Sequence, residues 1–117
     1  MAGTLTISTL SDGTNSTSSS NCIQGSAKAW VTFAGATGTV SASYNVSSVT
    51  RNSQGNYTVN FTTAFADANY AVSLSLGSAA AATFYAPQVL SGGQTTTSSV
   101  VASYSSDPVR LSAAYFR

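Results

Sequence analysis

The sequence predicts an all-β protein, an antiparallel β-sandwich of jelly-roll type or a small barrel of about seven or eight strands behind an extended N-terminal arm. Three observations carry this. From Ser26 almost to the end, apolar residues recur with period two, the repeat of a strand with one face buried. The alternating runs are five to eight residues long and broken by Gly, Asn, Asp and Pro. No run keeps the 3.6-residue period of a helix. At 117 residues, one domain is expected, enough to bury roughly two-thirds of the unfolded surface without disulfides or metals.

Residues 1 to 20 join a short alternating piece, Thr4 to Leu10, to the polar run Ser11 to Ser20, which by itself has too little apolar content to order. This reads as an arm docking on a neighbour, with Leu5 and Ile7 placed to add a strand to another subunit's sheet edge. Residues 21 to 117 form the β domain. Ala27, Ala29, Val31 and Phe33 alternate with Lys28, Trp30 and Thr32, so the second face of that strand carries a large ring. Val40 to Tyr44 is the next strand. Val46 to Arg51 and Asn56 to Thr63 flank Asn52-Ser53-Gln54-Gly55 as a hairpin, with Tyr57, Val59 and Phe61 on one face. After the bend at Phe65 to Asn69, Tyr70, Val72, Leu74 and Leu76 repeat the pattern. Ala79 to Ala82 reads as a loop entering a strand at Thr83-Phe84-Tyr85, and Ser91-Gly92-Gly93-Gln94 as a turn. Val100, Ala102, Tyr104 and then Val109, Leu111, Ala113, Tyr115 mark the last two strands, around a turn at Ser105-Ser106-Asp107-Pro108.

Composition bears on function. There is no His and no Glu, and the seven charged residues are Lys28, Arg51, Arg110, Arg117, Asp12, Asp67 and Asp107. General acid-base catalysis draws on His, Glu, Asp and Lys, and nucleophilic Ser needs a base, so the supply for an active site is short. No catalytic, cofactor-binding or metal-ligating residue is assigned, and no cofactor is expected. Asp12-Gly13 and Asp107-Pro108 read as turn residues whose carboxylates cap local backbone, with Asp67 serving the bend before Asn69. A net charge of +1 offers no phosphate-binding patch and no polybasic run for anionic lipid, so neither nucleic acid nor membrane insertion is expected. Met1 to Leu10 lacks the basic and apolar regions of a secretory signal, so export by the general route is not expected, nor glycosylation at the sequons of Asn15, Asn45, Asn56 and Asn60. Cys22 is the single cysteine and is expected as a small buried hydrophobe.

Charged residues are 6% of the chain, whereas Ser and Thr make up about a third. A neutral hydroxyl surface has little charge repulsion to keep copies apart, which favours assembly or sugar binding. The adjacent aromatic pairs Phe84-Tyr85 and Tyr115-Phe116 each put one ring on either face of a strand, so one member of each is a candidate for a subunit contact. With Leu5, Ile7 and Trp30 they complete the candidate interface or packing residues. Trp30, Tyr57 and Phe61 are expected to act structurally.

The segment Gly25-Ser26-Ala27-Lys28-Ala29-Trp30-Val31-Thr32-Phe33 resembles a Gly-Ser-Ala-Lys-Ala-Trp-Val-x-Phe signature of small tail-fibre-like and virion structural proteins of tailed bacteriophages. Ala42 to Thr50, Gly55 to Thr62, Asp67 to Val72 and Asp107 to Ser112 look like the same family, so the resemblance spans about residues 21 to 117. It implies a non-enzymatic virion component assembled in the bacterial host cytoplasm and carried as a homotrimer on the particle. The arm would dock on tail or capsid proteins, and the β domain would attach to the host, through a surface glycan in one version. A capsid decoration or cement protein is the alternative within that class, and a free carbohydrate-binding module the alternative outside it.

Overall fold

The computed structural model describes residues 2–78, 86–104 and 106–117. Its architecture is an antiparallel sandwich of two four-stranded sheets, preceded by a small hairpin and one short helix. The first sheet has the order β4-β3-β10-β7, from Val40–Tyr44, Ala27–Phe33, Arg110–Phe116 and Ala71–Gly77. The second has the order β5-β6-β9-β8, from Val46–Ser53, Asn56–Phe61, Ser98–Ser103 and Pro87–Gln94. Two separate sheets facing one another choose the sandwich over the closed barrel.

The inner faces follow from the two-residue repeat. Ala29, Val31 and Phe33 of β3, Leu111, Ala113 and Tyr115 of β10, and Tyr57, Val59 and Phe61 of β6 are all buried. Phe33 meets Tyr57 edge-on across the sheets at a centroid distance of 5.0 Å, and Phe61 meets Tyr115 at 4.9 Å. Phe65 and Tyr70, from the bend between β6 and β7, complete an aromatic cluster around Phe61. Such edge-to-face contacts add to the area each ring removes from water.

Three readings of the sequence change. In β9 the buried phase is Ser99, Val101 and Ser103, not Val100 and Ala102, which are half-buried, or Tyr104, which is exposed. Tyr57 on the neighbouring strand β6 and Tyr115 on the opposite sheet already fill the inner layer, so β9 carries small serines there. Ser91 to Gln94 is not the turn but the end of β8, where the register to β9 slips between Val89 and Gln94. Gly92 takes φ 75 there, and the reversal comes later, at Thr95–Ser98, where Thr95 N donates to Ser98 O at 2.8 Å. The third change is the arm.

The arm is not extended throughout and the chain is not free of helix. Thr9–Ser11 (β1) pairs with Ser16–Ser18 (β2), because Asp12 Oδ1 accepts from Thr14 N and Asn15 N at 2.9 and 2.7 Å and closes the turn. Ser18 then caps Ser19–Gly25 (α1), its hydroxyl accepting from Asn21 N at 3.3 Å. Leu5 and Ile7 lie before β1 outside any strand and are 80% and 40% exposed. Cys22 is half-buried, not fully buried, and borders a shallow apolar crevice with Leu5, Ile7, Leu10 and Ile23.

Candidate functional site

Two clusters of polar side chains stand out, one structural and one open. The structural one centres on Asp107. Its carboxylate receives four donor groups: Tyr57 OH at 2.6 Å, Gly55 N at 2.9 Å, Arg51 Nη2 at 2.6 Å and Arg51 Nε at 3.1 Å. The Asp therefore caps the β5–β6 turn, distant in sequence, where the Asp-Pro sequence predicts a cap of its own local backbone. Gly55 is required at that turn: its φ is 70, and a Cβ would overlap Ser103 O. The Arg51 guanidinium, despite the opposing cost of burial, holds the Asp107 carboxyl well below the usual carboxylate range, with help from the Tyr57 and Gly55 hydrogen bonds. Burial and that same carboxylate push the Tyr57 hydroxyl above its ordinary range. A carboxylate with every lone pair committed holds structure and has no capacity left for a ligand.

The open cluster is a groove of about 560 Å³ at the other corner, lined by Lys28, Tyr44, Asn45, Phe65 and Arg117 together with Thr62–Ala66. It exists because the chain passes from β4 to β5 through a single residue. Asn45 makes this corner with φ 54, the only non-glycine in the left-handed region among the described residues. Its side chain holds the opposite wall: Nδ2 donates to Lys28 O at 3.1 Å and Thr63 O at 3.2 Å, while Oδ1 accepts from Thr63 N at 2.7 Å. Thr62 N donates to Asn45 O at 3.2 Å. The groove wall is thus fixed by the backbone before any ligand arrives.

Its charge comes from Lys28 and Arg117. Arg117 Nε and Nη2 donate to Asp67 Oδ1 and Oδ2 at 2.9 and 2.5 Å, and Asp67 Oδ1 also accepts from Asn69 N at 2.8 Å, as the bend there predicts. The Arg117 hydrogen bonds lower the Asp67 carboxyl from its ordinary value. Lys28 Nζ donates to Ile23 O in α1, a contact that ties α1 to β3 without neutralising the charge.

The sequence-predicted residues are scattered. Leu5 and Ile7 lie on the arm. Trp30 is 39% exposed on the outer face of β3, opposite Tyr44 of β4, which is 59% exposed. Of the last aromatic pair, Tyr115 is fully buried and packs in the core, so the outward member is Phe116, half-buried on the other face. Phe84 and Tyr85 lie outside the described residues. Sequence reasoning missed the groove, although the lone Asn between two strand patterns was a usable signal, since Asn tolerates positive φ better than other side chains. Among the described residues no three His, Cys, Asp or Glu side chains come together as metal ligands. Compared with protein-family models, curated proteins and solved structures, the chain matches none.

Proposed function

We propose that this chain is a non-enzymatic structural protein of a tailed-phage virion, a small β domain that assembles as a homotrimer on the particle and serves as a tail-fibre-like or surface component in host attachment. The observation that carries the reading is where the exposed apolar side chains fall on an otherwise neutral surface. Leu5 and Leu10 are exposed on the arm and Ile23 on α1, Trp30 and Val40 are exposed on β3 and β4, and Tyr104 and Val109 are exposed elsewhere. β4 is an edge strand, and all five of its residues are exposed. A sheet edge beside the exposed Trp30 ring favours association with further strands. The sequence resemblance over residues 21 to 117 supplies the setting, and the arm supplies a segment to dock on tail or capsid proteins.

The test is composition of the particle. Phage particles purified by density from a lysate of the producing host should contain the chain at a fixed stoichiometry by quantitative mass spectrometry. A few copies per particle accord with a fibre, and hundreds with the alternative of a capsid decoration protein. Its absence from purified particles would overturn the proposal and leave a free carbohydrate-binding module as the better reading, one that the exposed Tyr44 ring at the groove favours.

A further inference from the structure

The groove beside Tyr44 has features that assembly does not use. Two of the four cationic side chains of the chain, Lys28 and Arg117, line it, and no Asp is among its lining residues. Asp67 holds Arg117 through Nε and Nη2, and Nη1 has no partner among the described residues. Lys28 Nζ donates to the neutral carbonyl of Ile23 and forms no ion pair among the described residues. Thr62 and Thr63 give their backbone N–H groups to Asn45, and their hydroxyls have no partner among the described residues. The Tyr44 ring is exposed at the mouth.

We propose that this groove binds a carboxylate-bearing saccharide, such as a uronic or nonulosonic acid unit of a surface glycan. The proposal deepens the attachment role above and rests on it. An aromatic ring offers a face to the C–H groups of a sugar, which are apolar and slightly positive. Threonine hydroxyls both donate and accept, as sugar hydroxyls do. A guanidinium with a free N–H edge and a nearby ammonium suit a single carboxylate, since charge-assisted hydrogen bonds are the stronger kind. Among the side chains at the groove, Asp67 balances the Arg117 charge and Lys28 supplies one further positive charge. That matches one acid group per bound unit and is too little for a polyphosphate backbone, whose affinity scales with the number of phosphates neutralised. The strained Asn45 corner and its four hydrogen bonds preform the wall, so little ordering cost falls on binding.

The experiment titrates the full chain with tetragalacturonate and with 3′-sialyllactose, and in parallel with their neutral counterparts, the carboxyl-reduced tetrasaccharide and lactose, by calorimetry or NMR shift mapping. At least one acidic probe should bind about tenfold or more tightly than its neutral counterpart, a gap that narrows as salt is raised. Arg117→Gln and Tyr44→Ala should each weaken it about tenfold, while Tyr104→Ala, an equally exposed ring outside the groove, should not. Binding of neither acid, equal binding of acid and neutral forms, or indifference to both groove variants would overturn the proposal. Light scattering on the same samples separates the two claims: a trimer without acid binding sinks only this one, and a monomer that binds sinks only the assembly.

Discussion

The two Arg–Asp pairs of this protein have the same chemistry and opposite uses. Arg51 and Asp107 lie 2.6 Å apart with side chains 32% and 16% exposed, and Asp107 is saturated by donors from Arg51, Tyr57 and Gly55. Arg117 and Asp67 lie 2.5 Å apart but are 47% and 37% exposed, and the Arg lines a groove. The first pair is a knot joining the β5–β6 turn to the segment before β10. The second presents a cation. What decides between them is the number of further donors on the carboxylate and the depth of burial, since an exposed pair contributes little to stability while a buried hydroxyl left unpaired is costly.

Substitutions should separate the two. Asp107→Ala should have the largest effect, about 2 to 3 kcal/mol by chemical denaturation, because it strands the Tyr57 hydroxyl and Gly55 N–H in partly dry surroundings. Next, Tyr57→Phe should cost about 1 kcal/mol, whereas Tyr115→Phe should cost less, because the buried Tyr115 hydroxyl makes no close hydrogen bond among the described residues and has only the Ser99 hydroxyl nearby. A loss on Tyr115→Phe as large as that on Tyr57→Phe would show that the first hydroxyl is satisfied after all. Arg117→Gln should leave the melting temperature unchanged within error, and a drop comparable to that of Asp107→Ala would erase the contrast between the pairs.

The pairs also set the pH profile. Asp107, Asp67 and Asp12 all titrate below their ordinary values in the folded state, so their contribution is present above about pH 4 and lost as pH falls through the folded values. Tyr57, Tyr70 and Tyr115 are raised by burial, so theirs is present below about pH 10 and lost above it. With no His and no Glu, thermal stability should be flat between these limits. Asp107→Asn should blunt the acid fall, which melting curves from pH 7 to pH 2 would record.

The fold was legible where alternation was strong. Tyr57, Val59 and Phe61 announce their buried face because both their spacing and their size agree. The phase of β9 is hard to read because its inward residues, Ser99 and Ser103, are polar, and only the rings of Tyr57 beside them and Tyr115 opposite explain them. β1, β2 and α1 were invisible because a polar run orders here through side-chain caps from Asp12 and Ser18, which leave no hydrophobic period. Of the site, Lys28 and Tyr44 were read as strand residues, but their meeting with Arg117, far along the chain, is set by the corner at Asn45 and the closing of the sheets.

In the proposed assembly the exposed Trp30 ring and the β4 edge make the subunit contact, and the arm is left to dock on the particle. The most direct test is the solution mass of the full chain by light scattering across a dilution series, beside a Trp30→Ser variant and a chain lacking residues 1 to 20. The full chain should be a trimer, Trp30→Ser should give folded monomers, and the trimer should persist without the arm. A monomer at every concentration, or a trimer indifferent to the loss of the Trp30 ring, would contradict assembly through β3 and β4.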